Sequence, residues 1–116
     1  MNKETLVLYL DDWDMSSRIA KISSDLSIDL LFYEEGFCFD QSGANYTFII
    51  DVKILSENDF RKLQTLSSMD NVFIIGYIEK IDAVKVKSLN KSGFSIVLKR
   101  NELLKNLKKI IYKAIN

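Results

Sequence analysis

The chain has 116 residues, Lys+Arg and Asp+Glu equal at 16 each, a hydrophobic fraction of 47% and no histidine. That length suits one core, so residues 1–116 read as a single domain, and the apolar content is too high for a disordered chain. Balanced charge argues against an overall field toward DNA or an anionic membrane, and the missing histidine removes the usual general base, the usual zinc ligand and any self-contained histidine phosphorylation. Cys38 is alone, so neither an internal disulfide nor a thiolate metal cluster is expected. No apolar run approaches the ~20 residues of a membrane-crossing helix, and Met1-Asn2-Lys3-Glu4-Thr5 lacks a signal-peptide pattern. A cytoplasmic protein with no nucleic-acid or membrane partner is the expectation.

Short apolar runs alternate with amphipathic segments. Leu6–Leu10 reads as a buried strand. Asp14 then caps a helix over 15–26, whose Met15, Ile19, Ile22 and Leu26 share one face. A second strand spans Ile28–Tyr33. The following stretch, residues 34–45, is short and holds Gly36 and Gly43, which suits a loop or one helical turn; Phe37, Cys38 and Phe39 read as packing residues there. Tyr46–Ile50 is the third strand. Ser56-Glu57-Asn58-Asp59 matches a capping box and opens a helix with Phe60, Leu63, Leu66 and Met69 on one face. Val72–Ile75 is the fourth strand. A helix from Asp82 to Ser92 is closed by Gly93, and Phe94–Leu98 is the fifth strand. Asn101 caps a single last helix, apolar along Leu103, Leu104, Leu107, Ile110, Ile111 and Ala114, with lysines toward its C-terminal end.

This order, βαβ(α)βαβαβα, means an α/β domain with a doubly wound parallel sheet, and continuously apolar strands mean helices on both faces. In such sheets ligands bind beyond the carboxyl ends of the strands. Asp11 and Asp12 follow the first strand, Asp51 follows the third and Lys99 ends the fifth. If the first and third strands are neighbours, three carboxylates converge. Their mutual repulsion is relieved by a divalent cation or a lysine. The plain alternatives are a solvated capping loop for Asp11-Asp12, a strand-end turn for Asp51 and a surface lysine for Lys99. Trp13 and Tyr77 read as cover over the mouth of the pocket, and the lysines of the last helix as a solvated face.

With Leu10-Asp11-Asp12, Ile49-Ile50-Asp51 and Leu98-Lys99 in this order, nearly the whole chain resembles the receiver domain of two-component response regulators. The resemblance implies the flavodoxin-like receiver fold, five parallel strands in the order 2-1-3-4-5, here with a shortened second helix. It implies Asp51 as phosphoacceptor and Lys99 as the charge partner of the phosphoryl group. Mg²⁺ would be held by Asp12, Asp51 and the backbone carbonyl of Lys53, with Asp11 acting mainly through water. A histidine kinase or phosphotransfer protein would be the phosphate donor, and a downstream protein the target. The usual contact face would fall at residues 81–116 and would also serve a homodimer. Enzymatic turnover beyond self-phosphorylation from a donor is not implied.

The chain also departs from the family pattern. The Thr or Ser ending the fourth strand is replaced within Ile75-Gly76-Tyr77, and either Gly76 or Tyr77 takes its place. Lys53-Ile54-Leu55 stands where Met-Pro is usual after the phosphoacceptor, Arg100 where proline follows the lysine, and Ile96 where an aromatic switch residue is usual. Two readings result. One is a stand-alone receiver phosphorylated on Asp51 with Mg²⁺. The other is a pseudo-receiver that works as a protein-interaction module without phosphorylation. A metal-dependent hydrolase and a flavin-binding protein both fit poorly. The first lacks a second base and a lid, and the second would place a flavin phosphate against Asp11, Asp12 and Asp14.

Overall fold

A computed structural model describes residues 3–33 and 44–115. Five strands, β1 (Lys3–Tyr9), β2 (Asp29–Phe32), β3 (Ala44–Asp51), β4 (Val72–Ile78) and β5 (Ile96–Lys99), form one parallel sheet in the order β2-β1-β3-β4-β5. The helices are α1 (Trp13–Asp25), α2 (Glu57–Ser67), α3 (Ala83–Lys91), α4 (Arg100–Lys105) and α5 (Leu107–Ile115), with a 3₁₀ turn at Val52–Ile54. The sheet has the anticipated order. The shortened second crossover, with Phe37, Cys38 and Phe39, lies outside the described residues.

Strand alternation divides the core in two. Leu6, Leu8, Ile49, Ile75 and Tyr77 point to one face, where Met15 and Ile19 of α1 and Leu103, Leu107 and Ile111 of α4 and α5 cover them. Val7, Phe48, Ile50, Ile74 and Ile78 point to the other, beneath Leu63 and Leu66 of α2 and Leu89 of α3. Both faces are dry, which is why the strand sequences lack polar alternation. No helix among the described residues is long and apolar enough to cross a membrane.

Local signals explain most boundaries. Ser56 and Asp59 form a reciprocal capping box at α2, as the sequence indicates. Asp82 caps α3, and Gly93, at φ 116°, follows the Ser92 C-cap in a conformation that disfavours a side chain. A Cβ on Gly93 would also lie 2.8 Å from the Ser67 hydroxyl.

Two helix starts differ from the sequence reading. Asp12, rather than Asp14, caps α1, because its Oδ1 lies within reach of the Met15 N–H at 3.2 Å. The last helix begins at Arg100 without a side-chain cap, so Asn101 lies inside it. It also breaks at Asn106, whose backbone N–H and side-chain amide both bond the Glu102 carbonyl at 3.1 Å. An amide side chain competing for a helical carbonyl is a common cause of such a break.

Candidate functional site

β1 and β3 are neighbours in register, so Asp11, Asp12 and Asp51 emerge at the same end of the sheet. Their environments then diverge.

Asp11 is exposed and forms no side-chain hydrogen bond with any described residue. Asp12 is saturated. Its Oδ1 accepts from the Met15 N–H at 3.2 Å and from Arg100 Nη2 at 3.1 Å. Its Oδ2 accepts from Arg100 Nε at 2.8 Å and from the Tyr77 hydroxyl at 3.2 Å. Four donors match the roughly four lone-pair sites of a carboxylate. The Arg100 contact is a bidentate fork, the geometry in which guanidinium and carboxylate bind best. Arg100 also lies 3.6 Å from Asp14, which itself pairs with Arg18 at 3.2 Å. Hydrogen bonding from Arg100, above all, holds the Asp12 carboxyl down to about 2.

Asp51 ends β3 and is 3% exposed. Its Oδ1 accepts from the Lys53 N–H at 3.2 Å, capping the 3₁₀ turn. Its Oδ2 is buried without a hydrogen bond. Lys53 Nζ lies 3.7 Å away, an ion pair too long for a hydrogen bond and reaching in from solvent. Burial pushes the Asp51 carboxyl above its ordinary range, and the nearby charge of Asp12 adds to the rise.

The register settles which residue stands in for the missing hydroxyl. Asp51 pairs with Tyr77, and Gly76 pairs with Ile50 one position earlier. Tyr77 therefore shares the face of Asp51, and its phenol reaches Asp12. Burial and the charges of Asp51 and Asp12 push that phenol's ionisation far upward, leaving it a donor. Gly76 faces the opposite layer, where a Cβ would lie 2.5 Å from the Phe94 ring. Phe94 occupies the space a side chain at 76 would need.

Lys99 pairs with Ile78, whose side chain belongs to the layer under α2 and α3. It forms no ion pair or side-chain hydrogen bond with a described residue. The cation on Asp12 is Arg100, which in the sequence stands out only as the replacement for a proline. Alternation could have found it: Ile96 and Leu98 pack against the layer under α1 and α5, so the next residue in phase is Arg100.

The donor set does not fit a divalent cation as it stands. Asp12 has no free lone pair until Arg100 leaves, and Asp11 is turned to solvent. No group of three or more acidic, Cys or His side chains among the described residues is disposed to hold a metal. The unsatisfied Asp51 Oδ2 is the feature a cation would suit. Arg100 supplies to Asp12 the positive charge that an ion would otherwise bring.

No family model matches the sequence. Over 115 residues the chain is 27% identical to the tryptophan synthase alpha chain of Buchnera aphidicola subsp. Schlechtendalia chinensis, a match covering 90% of this chain. The chain spans only 42% of that relative's length. By structure it is similar to the regulatory domain of the master biofilm regulator CsgD, at a TM-score of 0.67 and 11% identity, covering 97% of this chain and 86% of that one. At that identity the likeness speaks for the fold alone. The chain has the flavodoxin-like receiver fold, a five-stranded parallel sheet in the order 2-1-3-4-5 with helices on both faces.

Proposed function

We propose that this chain is a receiver-like regulatory domain that acts by contact with another protein, without phosphorylation of Asp51 and without enzymatic turnover. The observation that carries this reading is the bidentate Arg100–Asp12 pair. A carboxylate with four donors is a poor ligand for Mg²⁺, which needs free oxygens in a near-octahedral set. Tyr77 reinforces the lock, because it bonds Asp12 from the position beside Asp51 and carries a bulky ring in place of a small hydroxyl side chain. Partner, pathway and a cytoplasmic location belong to the same proposal.

A second reading retains phosphate transfer from a histidine kinase or phosphotransfer protein to Asp51 with Mg²⁺, with Lys99 or Arg100 meeting the phosphoryl charge. Its support is the orphaned Asp51 Oδ2. It requires Arg100 to swing away from Asp12.

Trp13 is 86% exposed and adjoins Asp12, so its fluorescence reports on the site. Wild-type protein titrated with Mg²⁺ should show no saturable change at millimolar concentrations, and acetyl phosphate should add no phosphoryl mass. Arg100→Gln, which frees Asp12, should acquire a Mg²⁺ response. A phosphoryl increment on wild-type protein that disappears in Asp51→Asn would establish the second reading instead.

A further inference from the structure

α5 carries two apolar stripes. Leu107 and Ile111 point into the sheet and are buried, whereas Ile110 and Ala114 sit at the margin of the same core and are half-exposed. The second stripe borders a cleft of about 490 Å³ between α5 and the sheet, lined also by Phe73, Ile96, Asn106, Lys109 and Lys113. That volume is within the roughly 300–1,000 Å³ of small-molecule clefts.

The register explains why the cleft exists. β5 is short, and its first residue, Ile96, pairs with Ile75, so Val72 and Phe73 have no partner on β5. Phe73 lies two positions before Ile75 and therefore on the face that α5 covers. With no strand beside it, its ring is 36% exposed. The helix side of the cleft runs from Asn106 to Ala114, a rise of about 12 Å. The floor is thus long and narrow rather than round.

Lys109 and Lys113 are one turn apart on the same face of α5, and both are exposed. Neither forms an ion pair with a described residue. Their stems line the cleft while their ammonium groups stay in water. Glu102 is the one acidic residue after position 82, against nine Lys/Arg, so the charge along this wall is uncompensated.

We infer that this cleft binds a free aliphatic carboxylate, an unbranched apolar chain with a single anionic head. The tail lies along Phe73, Ile96, Ile110 and Ala114, and the head stays hydrated at the rim beside Lys109 and Lys113. Only apolar surface is then buried, so no charge is desolvated. A neutral chain leaves the two lysines without a counter-charge, and a polyanion such as DNA leaves the floor bare. The site is at the amino end of the sheet, away from Asp12 and Asp51, and goes beyond the reading of the chain as a contact module.

The test is calorimetric titration of the full chain with octanoate, decanoate and dodecanoate, each below its micellar concentration. Decanol, decyltrimethylammonium, a DNA duplex and phosphatidylglycerol vesicles are the comparisons. Decanoate should bind saturably, one per chain, with affinity rising about threefold per added methylene and falling with salt. Decanol and the ammonium should bind at least about tenfold more weakly. Lys109→Gln combined with Lys113→Gln should weaken decanoate by about tenfold and leave decanol unchanged. Amide shifts on adding decanoate should centre on Phe73, Ile96, Ile110 and Ala114. Absence of saturable binding, no dependence on chain length, equal binding of decanol, indifference to the lysine changes, shifts centred elsewhere, or tighter binding of DNA or vesicles would each overturn the inference. None of these outcomes depends on Mg²⁺ or acetyl phosphate at Asp51, so either proposal can fail while the other stands.

Discussion

Asp12 and Asp51 lie at the ends of adjacent strands, yet their surroundings move them in opposite directions. Asp12 is held at about 2, below its ordinary 3.8, by Arg100 first and then by the Met15 N–H and Tyr77. Its contribution to stability is complete above about 3.8 and is lost as the pH falls toward 2. Asp51 is raised by burial. It favours the fold while protonated, and that contribution is lost as the pH rises through its folded value. Asp51→Asn keeps the shape and an acceptor for the Lys53 N–H while removing the buried charge. The variant should therefore melt above wild type at neutral pH, and the gap should close on acidification. Thermal denaturation followed at both pH values measures this, and a wild type that melts higher at neutral pH would mean that the charge is better solvated than its burial indicates.

At the scale of elements, each strand end offers two faces, and pleating decides which residue enters the site. On β4 the alternation gives Tyr77 to the acidic side and Gly76 to the Phe94 side. Restoring a hydroxyl by Gly76→Ser would therefore place it in the wrong layer. The substitution should cost about 1–3 kcal/mol through overpacking against Phe94 and Val52. Urea unfolding of Gly76→Ser, alone and with Phe94→Leu to make room, checks this; the second change should recover part of the loss. On β5 the same alternation passes over Lys99 and selects Arg100. The capping box at α2 and the glycine closing α3 were legible because both are local hydrogen-bonding patterns. The break at Asn106 was not, because the apolar spacing runs through it without interruption.

At the scale of the whole molecule, the sheet is closed on one face by α1 and by the α4–α5 pair, which contribute Leu103, Leu107 and Ile111 to a fully buried cluster. Ile111 is 0% exposed. Ile111→Ala should cost about 2–5 kcal/mol, as deletion of a packed aliphatic side chain does. Denaturant titration should show this loss in one cooperative transition; a separate early transition of the C-terminal helices would show that they fold apart from the sheet.

Hydrophobic runs, caps and glycines determined the element order, the parallel sheet and the end at which acidic residues gather, because those depend on local periodicity and chain connectivity. The sequence also held the departures from the receiver pattern. Tertiary structure alone decided that Arg100 and Tyr77 close around Asp12 while Asp51 remains buried with an oxygen unsatisfied. Those contacts join residues separated by 65 and 88 positions. No local pattern encodes them; they follow from register, from pleat phase and from which side chain is long enough to reach.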